Sequence, residues 1–90
     1  SKAALAEMVQ SLARELAPKV RVNGVAPGVV AFPEAGHESD PEMQKAYLSR
    51  VPLQRAGTPE DAAEAVRWLA LDATYVTGEI VRLDGGRWLG

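Results

Sequence analysis

Ninety residues with 47% apolar and 24% charged side chains form an ordinary globular composition, too hydrophobic for a disordered chain. Ten Lys and Arg against 12 Asp and Glu give a net charge of −2 with the signs interspersed, which argues against the basic face that nucleic acid or an anionic membrane requires. The absence of cysteine removes disulfides and thiolate chemistry, and makes the cytoplasm the expected compartment.

The chain opens Ser1-Lys2-Ala3-Ala4-Leu5, inside a helical pattern and with no capping residue ahead of it. It reads as cut within a helix, so an N-terminal part of the same protein is expected to be missing. Leu5, Met8, Val9, Leu12 and Leu16 recur at spacings of three and four, which predicts a helix over 2–17 with one apolar face, stopped by Pro18. Val20-Arg21-Val22-Asn23-Gly24-Val25-Ala26 is β-rich and apolar enough for the interior of a sheet, and Pro27-Gly28 closes it. From Val29 to about Asp40 no period is present, so this stretch reads as loop. Asp40-Pro41-Glu42 supplies an N-cap followed by proline at the first helical position, opening a short helix to about Arg50. Thr58-Pro59-Glu60-Asp61 is a second start signal, and the helix it opens is expected to bury Ala62, Ala63, Val66, Leu69 and Ala70. A last strand, Glu79-Ile80-Val81-Arg82-Leu83, is ended by Asp84-Gly85-Gly86.

Helix, strand, loop with a short helix, longer helix and strand describe an α/β protein with a parallel crossover. Two strands alone would leave a hydrophobic edge unpaired and a sheet face uncovered. Individual residues carry little chemistry by themselves. His37, the single histidine, lies in a polar loop with Glu34, Glu38 and Asp40, and lacks the nitrogen or sulfur neighbours of a metal site. Nothing apolar surrounds those carboxylates to raise a pKa. Gly85-Gly86 follows a strand but precedes no predicted helix, so a turn is favoured over a phosphate cradle. Trp68 reads as core or interface, and Lys2 alone as a surface lysine. Pro27-Gly28 in isolation reads as a plain strand-ending turn.

The combination says more. Ser1-Lys2-Ala3-Ala4, Leu16-Ala17-Pro18 and Val20-Arg21-Val22-Asn23-Gly24-Val25-Ala26-Pro27-Gly28 occur in this order and spacing. Pro52-Leu53-Gln54-Arg55-Ala56-Gly57-Thr58-Pro59-Glu60-Asp61 and Tyr75-Val76-Thr77-Gly78-Glu79 through Asp84-Gly85-Gly86 follow. Together they resemble the second half of a short-chain dehydrogenase/reductase across essentially the whole chain. The resemblance implies the C-terminal part of a doubly wound, parallel-sheet Rossmann fold, with residues 1–90 as the C-terminal portion of a single NAD(P)-binding domain and a substrate loop at about 31–53. Phe32-Pro33-Glu34 and Arg87 look most similar to bacterial pteridine reductases, because most relatives have threonine where Phe32 stands.

Within that resemblance Lys2 matches the lysine of the family's Tyr-x-x-x-Lys pair. The tyrosine would stand one helical turn upstream, where the ammonium favours tyrosinate over phenol. The same lysine is implied to hold the nicotinamide ribose. Pro27, Gly28, Val29 and Val30 match the turn that backs the nicotinamide, with contacts expected largely from backbone groups. Asn23 matches a structural position. The residues that choose between NADPH and NADH belong to the missing half, so NADPH is implied only through the subgroup.

Phe32 is the candidate to stack on a flat pterin ring, while Tyr47 is read as packing. The activity implied is NADPH-dependent hydride transfer to a pterin C=N bond. The alternatives are a relative acting on an alcohol, ketone or 3-oxoacyl substrate, or a noncatalytic binding module of the same fold. The resemblance also implies a homotetramer, with Met8, Val9, Leu12, Trp68 and Trp88 available for contacts.

Overall fold

Helix α1 spans Lys2–Leu16, strand β1 Gly24–Pro27, helix α2 Pro41–Leu48, helix α3 Pro59–Arg67 and strand β2 Ile80–Leu83. A π-helical turn, Trp68–Asp72, extends α3, and a 3-10 turn, Arg87–Leu89, follows β2. The computed structural model describes residues 2–28 and 40–90.

The two strands pair in parallel, Gly24 opposite Ile80 through Pro27 opposite Leu83. A parallel pair cannot close through a hairpin; α2 and α3 occupy the crossover between them. The α/β expectation therefore holds, and both helix starts form as the sequence implies. Asp40 Oδ1 accepts from Glu42 N at 2.9 Å ahead of Pro41. Thr58 and Asp61 complete a reciprocal capping box, with Asp61 N donating to Thr58 Oγ1 at 3.0 Å and Thr58 N to Asp61 Oδ2 at 2.8 Å.

Two boundaries differ from expectation by two residues or more. β1 begins at Gly24 rather than Val20, because the facing segment meets the Val22 amide with a side chain: Val22 N donates to Thr77 Oγ1 at 3.1 Å, while Val22 O accepts from Gly78 N at 2.7 Å. Helix α2 stops at Leu48 instead of continuing to Arg50, and Ser49 turns its hydroxyl back onto Ala46 O at 2.7 Å.

The largest departure is in burial. Among the described residues the buried apolar ones are Val9, Ala13, Val51, Leu69 and Ala73. On α1, Val9 and Ala13 are inside because glycines face them: a Cβ on Gly24 would lie 3.6 Å from Val9 Cγ2, and one on Gly78 3.5 Å from Ala13 Cβ. Leu5, Met8, Leu12 and Leu16, placed by periodicity on the same face, remain substantially exposed. On α3 and its extension, only Leu69 of the expected stripe is buried; Ala62 is half-buried, while Ala63, Val66 and Ala70 are exposed. The reason is surface area. A 15-residue helix is about 22 Å long, whereas a four-residue strand spans about 13 Å, so two strands cannot cover it. The radius of gyration, 15.5 Å against about 12 Å for a compact chain of 90 residues, reflects the same openness.

Candidate cofactor and substrate site

Parallel open sheets bind ligands beyond the carboxyl ends of their strands, which here are Pro27 and Leu83, opposite one another in register. Beyond that pair the chains stay together for one more bond, Gly28 N donating to Leu83 O at 2.9 Å. Space, rather than torsion, demands glycine at 28. A Cβ there would sit 2.9 Å from Asp84 Cβ and 3.3 Å from the Tyr47 hydroxyl oxygen. The close approach that Gly28 permits is thus to Asp84 and to α2.

The turn after β2 is built in the same manner. Asp84 Oδ1 accepts from Gly86 N at 3.0 Å, and Gly85 and Gly86 take φ values of 62° and 90°, where side chains are rare. A Cβ on Gly85 would lie 2.6 Å from Val51 Cγ1, and one on Gly86 3.0 Å from Pro52 Cγ. Leu53 N donates to Gly85 O at 3.1 Å. The two glycines form a turn, as the sequence suggests, and the segment after α2 lies directly on it.

This geometry limits how the backbone could meet a nicotinamide. Proline has no N–H, and the N–H of Gly28 is committed to Leu83 O. Any main-chain donor from this turn would have to come from Val29 or Val30. Those two residues, Phe32 and His37 lie outside the described residues. Lys2 is the first residue of α1. A hollow of about 690 Å³ beside the Asp84 turn is lined by Leu53, Trp68, Leu83 and Leu89 among others, but by neither Pro27 nor Gly28. Trp68 is about half exposed, so it serves as the wall of this hollow rather than as core.

Side-chain hydrogen bonds that sequence reading did not find hold the opposite, amino ends of the strands. Arg21 Nη1 donates to Leu69 O at 2.7 Å and Ala73 O at 3.0 Å, and Nη2 to Ala70 O at 3.0 Å. These carbonyls end the α3 helical run, where acceptors lack intrahelical partners and a cation is favoured. Asn23 bridges the facing segment, donating from Nδ2 to Val76 O at 2.9 Å and accepting at Oδ1 from Glu79 N at 3.0 Å. That makes Asn23 structural, as expected. The available signal for Arg21 was a guanidinium flanked by valines in a β-rich run, since an enclosed charge needs partners.

On the crossover, Arg55 Nη1 lies 2.8 Å from Asp61 Oδ2 and Nη2 3.3 Å from Oδ1. The guanidinium bonds, aided by the Thr58 amide, lower the Asp61 pKa from 3.8 to about 2. Both side chains are solvent-exposed, so this is a surface pair with a capping role.

Comparison with known proteins decides the family. Residues 1–87 match the family model described as enoyl-(acyl carrier protein) reductase. The chain belongs to the short-chain dehydrogenase/reductase family. It is 42% identical over 89 residues to a glucose 1-dehydrogenase of Gluconobacter oxydans, covering 96% of this chain and 34% of that protein. It is 44% identical over 89 residues to a 3-oxoacyl-acyl-carrier-protein reductase of Thermotoga maritima, covering 96% of this chain and 35% of the relative. A crystal structure of a short chain dehydrogenase from Leptospira borgpetersenii with bound NAD+ superposes with a TM-score of 0.82 at 33% identity, over 96% of this chain and 33% of that one. The short-chain dehydrogenase/reductase chain described here therefore spans about a third of the length of these relatives, and its α/β architecture is part of their Rossmann fold.

Proposed function

We propose that the parent protein is a nicotinamide-dependent oxidoreductase that interconverts an alcohol and a carbonyl, its substrate being a free alcohol or ketone or a 3-oxoacyl compound. The observation that carries this reading is the agreement of the whole chain with relatives named for glucose dehydrogenation and 3-oxoacyl reduction. The joined carboxyl ends of β1 and β2, with Gly28 against Asp84, give such a site its floor.

A bound nicotinamide would supply the hydride. Lys2, Pro27, Gly28, Val29 and Val30 are the residues of this chain proposed to hold it, the amide donors coming from Val29 or Val30. The cofactor is read as NADP(H), with NAD(H) as the alternative; the Leptospira relative carries NAD+. Lys2 is proposed as a catalytic residue. On a continuous helix a tyrosine four positions earlier lies one turn away on the same face, so the ammonium stabilises its phenolate and tunes proton exchange with the substrate oxygen.

Reduction of a pterin C=N bond is the finer reading and has less behind it. It rests on Phe32 as a stacking residue and on Arg87. The Arg87 amide closes a turn on Asp84 O at 3.1 Å, while its side-chain Nε is buried without a hydrogen-bond partner among the described residues. The relatives reported above favour alcohol–carbonyl chemistry instead. The intact enzyme assayed with NADPH and NADH should oxidise the cofactor with a simple ketone or a 3-oxoacyl thioester. Turnover of dihydrobiopterin with no ketone or 3-oxoacyl substrate turned over would restore the pterin reading and overturn the first.

The parent enzyme is also proposed to be a homotetramer, supported by the exposed Met8 and Leu12 of α1 and the exposed Trp68 and Trp88. A monomer mass by light scattering at micromolar concentration would contradict it.

A further inference from the structure

Between Leu48 and Pro59 the chain forms neither helix nor strand, yet this stretch holds Val51, at 2% exposed the most enclosed of the buried apolar residues described. Helix α2, just before it, buries none of its own residues. Val51 O accepts from Gln54 N at 2.8 Å, which closes a four-residue turn with Pro52 at its second position. That turn is fastened to the one after β2. Leu53 N donates to Gly85 O at 3.1 Å, Val51 Cγ1 takes the space a Gly85 side chain would need, and Pro52 lies as close to Gly86. Gln54 leaves the turn at a φ of 60°, a left-handed conformation that strains a residue with a side chain and that glycine adopts freely. Such strain persists where surrounding contacts over-determine it, and here the Val51 packing and the Leu53 bond do so. The same β2 turn backs the site floor, because Asp84 fills the space beside Gly28, and α2 lies near enough to that floor for the Tyr47 hydroxyl oxygen to be 3.3 Å from the Gly28 Cβ position.

We propose that Val51–Gln54 is a strap that locks the exit of α2 onto the Gly85–Gly86 turn, with Val51 as its positioning residue, and that by fixing α2 relative to Gly28 it sets how tightly the enzyme holds its substrate. The link to substrate rests on the oxidoreductase reading, whereas the strap itself is a property of the packing. Holding a site wall in place lowers the ordering cost of binding without entering the chemical step, so a loosened strap appears in KM rather than in kcat. Gln54 carries strain inside the strap, so glycine at 54 should tighten it.

The test uses the intact enzyme with Val51→Ala, Gln54→Gly and the two combined. Hydrogen exchange of the Leu53 amide, which the strap holds on Gly85 O, should accelerate by about tenfold in Val51→Ala while α3 keeps its protection, and should slow by about twofold in Gln54→Gly. Substrate KM should rise by about tenfold in Val51→Ala with kcat within about twofold, and adding Gln54→Gly should recover part of both losses. Unchanged Leu53 exchange in Val51→Ala overturns the strap, as does an acceleration shared equally by α3 or faster exchange in Gln54→Gly. Faster Leu53 exchange with unchanged KM overturns the link to substrate, as does a fall in kcat matching the rise in KM. An intact protein inactive on every alcohol and carbonyl tested would count against the oxidoreductase reading and the link to substrate, whereas the exchange measurement would still decide the strap.

Discussion

The two ends of the β1–β2 pair are built on opposite plans. At the amino ends, side chains add to the main-chain bonds Gly78 N to Val22 O and Gly24 N to Glu79 O: Arg21 spans to Leu69, Ala70 and Ala73, Asn23 bridges Val76 and Glu79, and Thr77 accepts from Val22 N. At the carboxyl ends side chains are removed. Gly28, Gly85 and Gly86 let the two turns, Tyr47, Val51 and Pro52 come together through main chain and packing. A seam of directional bonds fixes register and resists sliding, whereas a glycine floor lets neighbouring segments come close. The first plan suits a scaffold and the second suits a site. Substitutions at the two ends should therefore fail differently: at the amino end in stability alone, at the carboxyl end in stability and substrate handling together.

The sharpest way to break that contrast is Gly85→Ala in the intact enzyme. With φ at 62° and a Cβ 2.6 Å from Val51 Cγ1, it combines backbone strain with overpacking and should cost about 3 kcal/mol in urea unfolding, with weaker substrate binding. Unaltered KM would place this turn with the scaffold. Next in size is Arg21→Met, which strips charged donors from the carbonyls of Leu69, Ala70 and Ala73 and should cost about 2 kcal/mol. Its kcat and KM should stay at wild-type values at temperatures where it is folded. Arg21→Lys should recover less than half of that loss, because an ammonium cannot reproduce the fork that meets four carbonyls, those three and Val76 O at 3.4 Å.

Thr58→Ala removes the acceptor for Asp61 N and should cost about 1 kcal/mol, read as a shift in the urea midpoint. The smallest effect concerns pH. Asp61 is depressed from 3.8 to about 2 in the folded chain, so its contribution is fully present above pH 4 and fades as pH falls towards 2. Asp61→Asn should be less stable than wild type at neutral pH, with the difference shrinking across that acid window. A difference that persists unchanged at pH 2 would show that the carboxylate charge has no part in it.

Local chemistry explains which features could be read in advance. Asp40 before Pro41, and Thr58 three residues ahead of Asp61, satisfy orphan amides only a few residues away, so their pattern survives into the fold. Burial did not survive in the same way. Periodicity puts Leu12 beside Val9 on one face of α1, but the glycines at 24 and 78 admit only Val9 and Ala13 to the sheet. Arg21 escaped notice because its acceptors lie 48 to 55 residues along the chain and are main-chain carbonyls, which leave no mark in a side-chain pattern. At the site, the order Lys2 then Pro27-Gly28 marks the family, yet nothing local shows what Gly28 makes room for.

By itself, then, the sequence determined the helix starts, the strand order, the turn glycines and the family, all of which rest on neighbouring residues or on motifs in series. Only the tertiary structure decided which apolar residues are enclosed, where Arg21 donates, and that Gly28 faces Asp84 and Tyr47. Those outcomes depend on which surfaces come within a few ångströms once β1 and β2 pair, and contact between distant segments is set by the packing of the whole rather than by the spacing within any one of them.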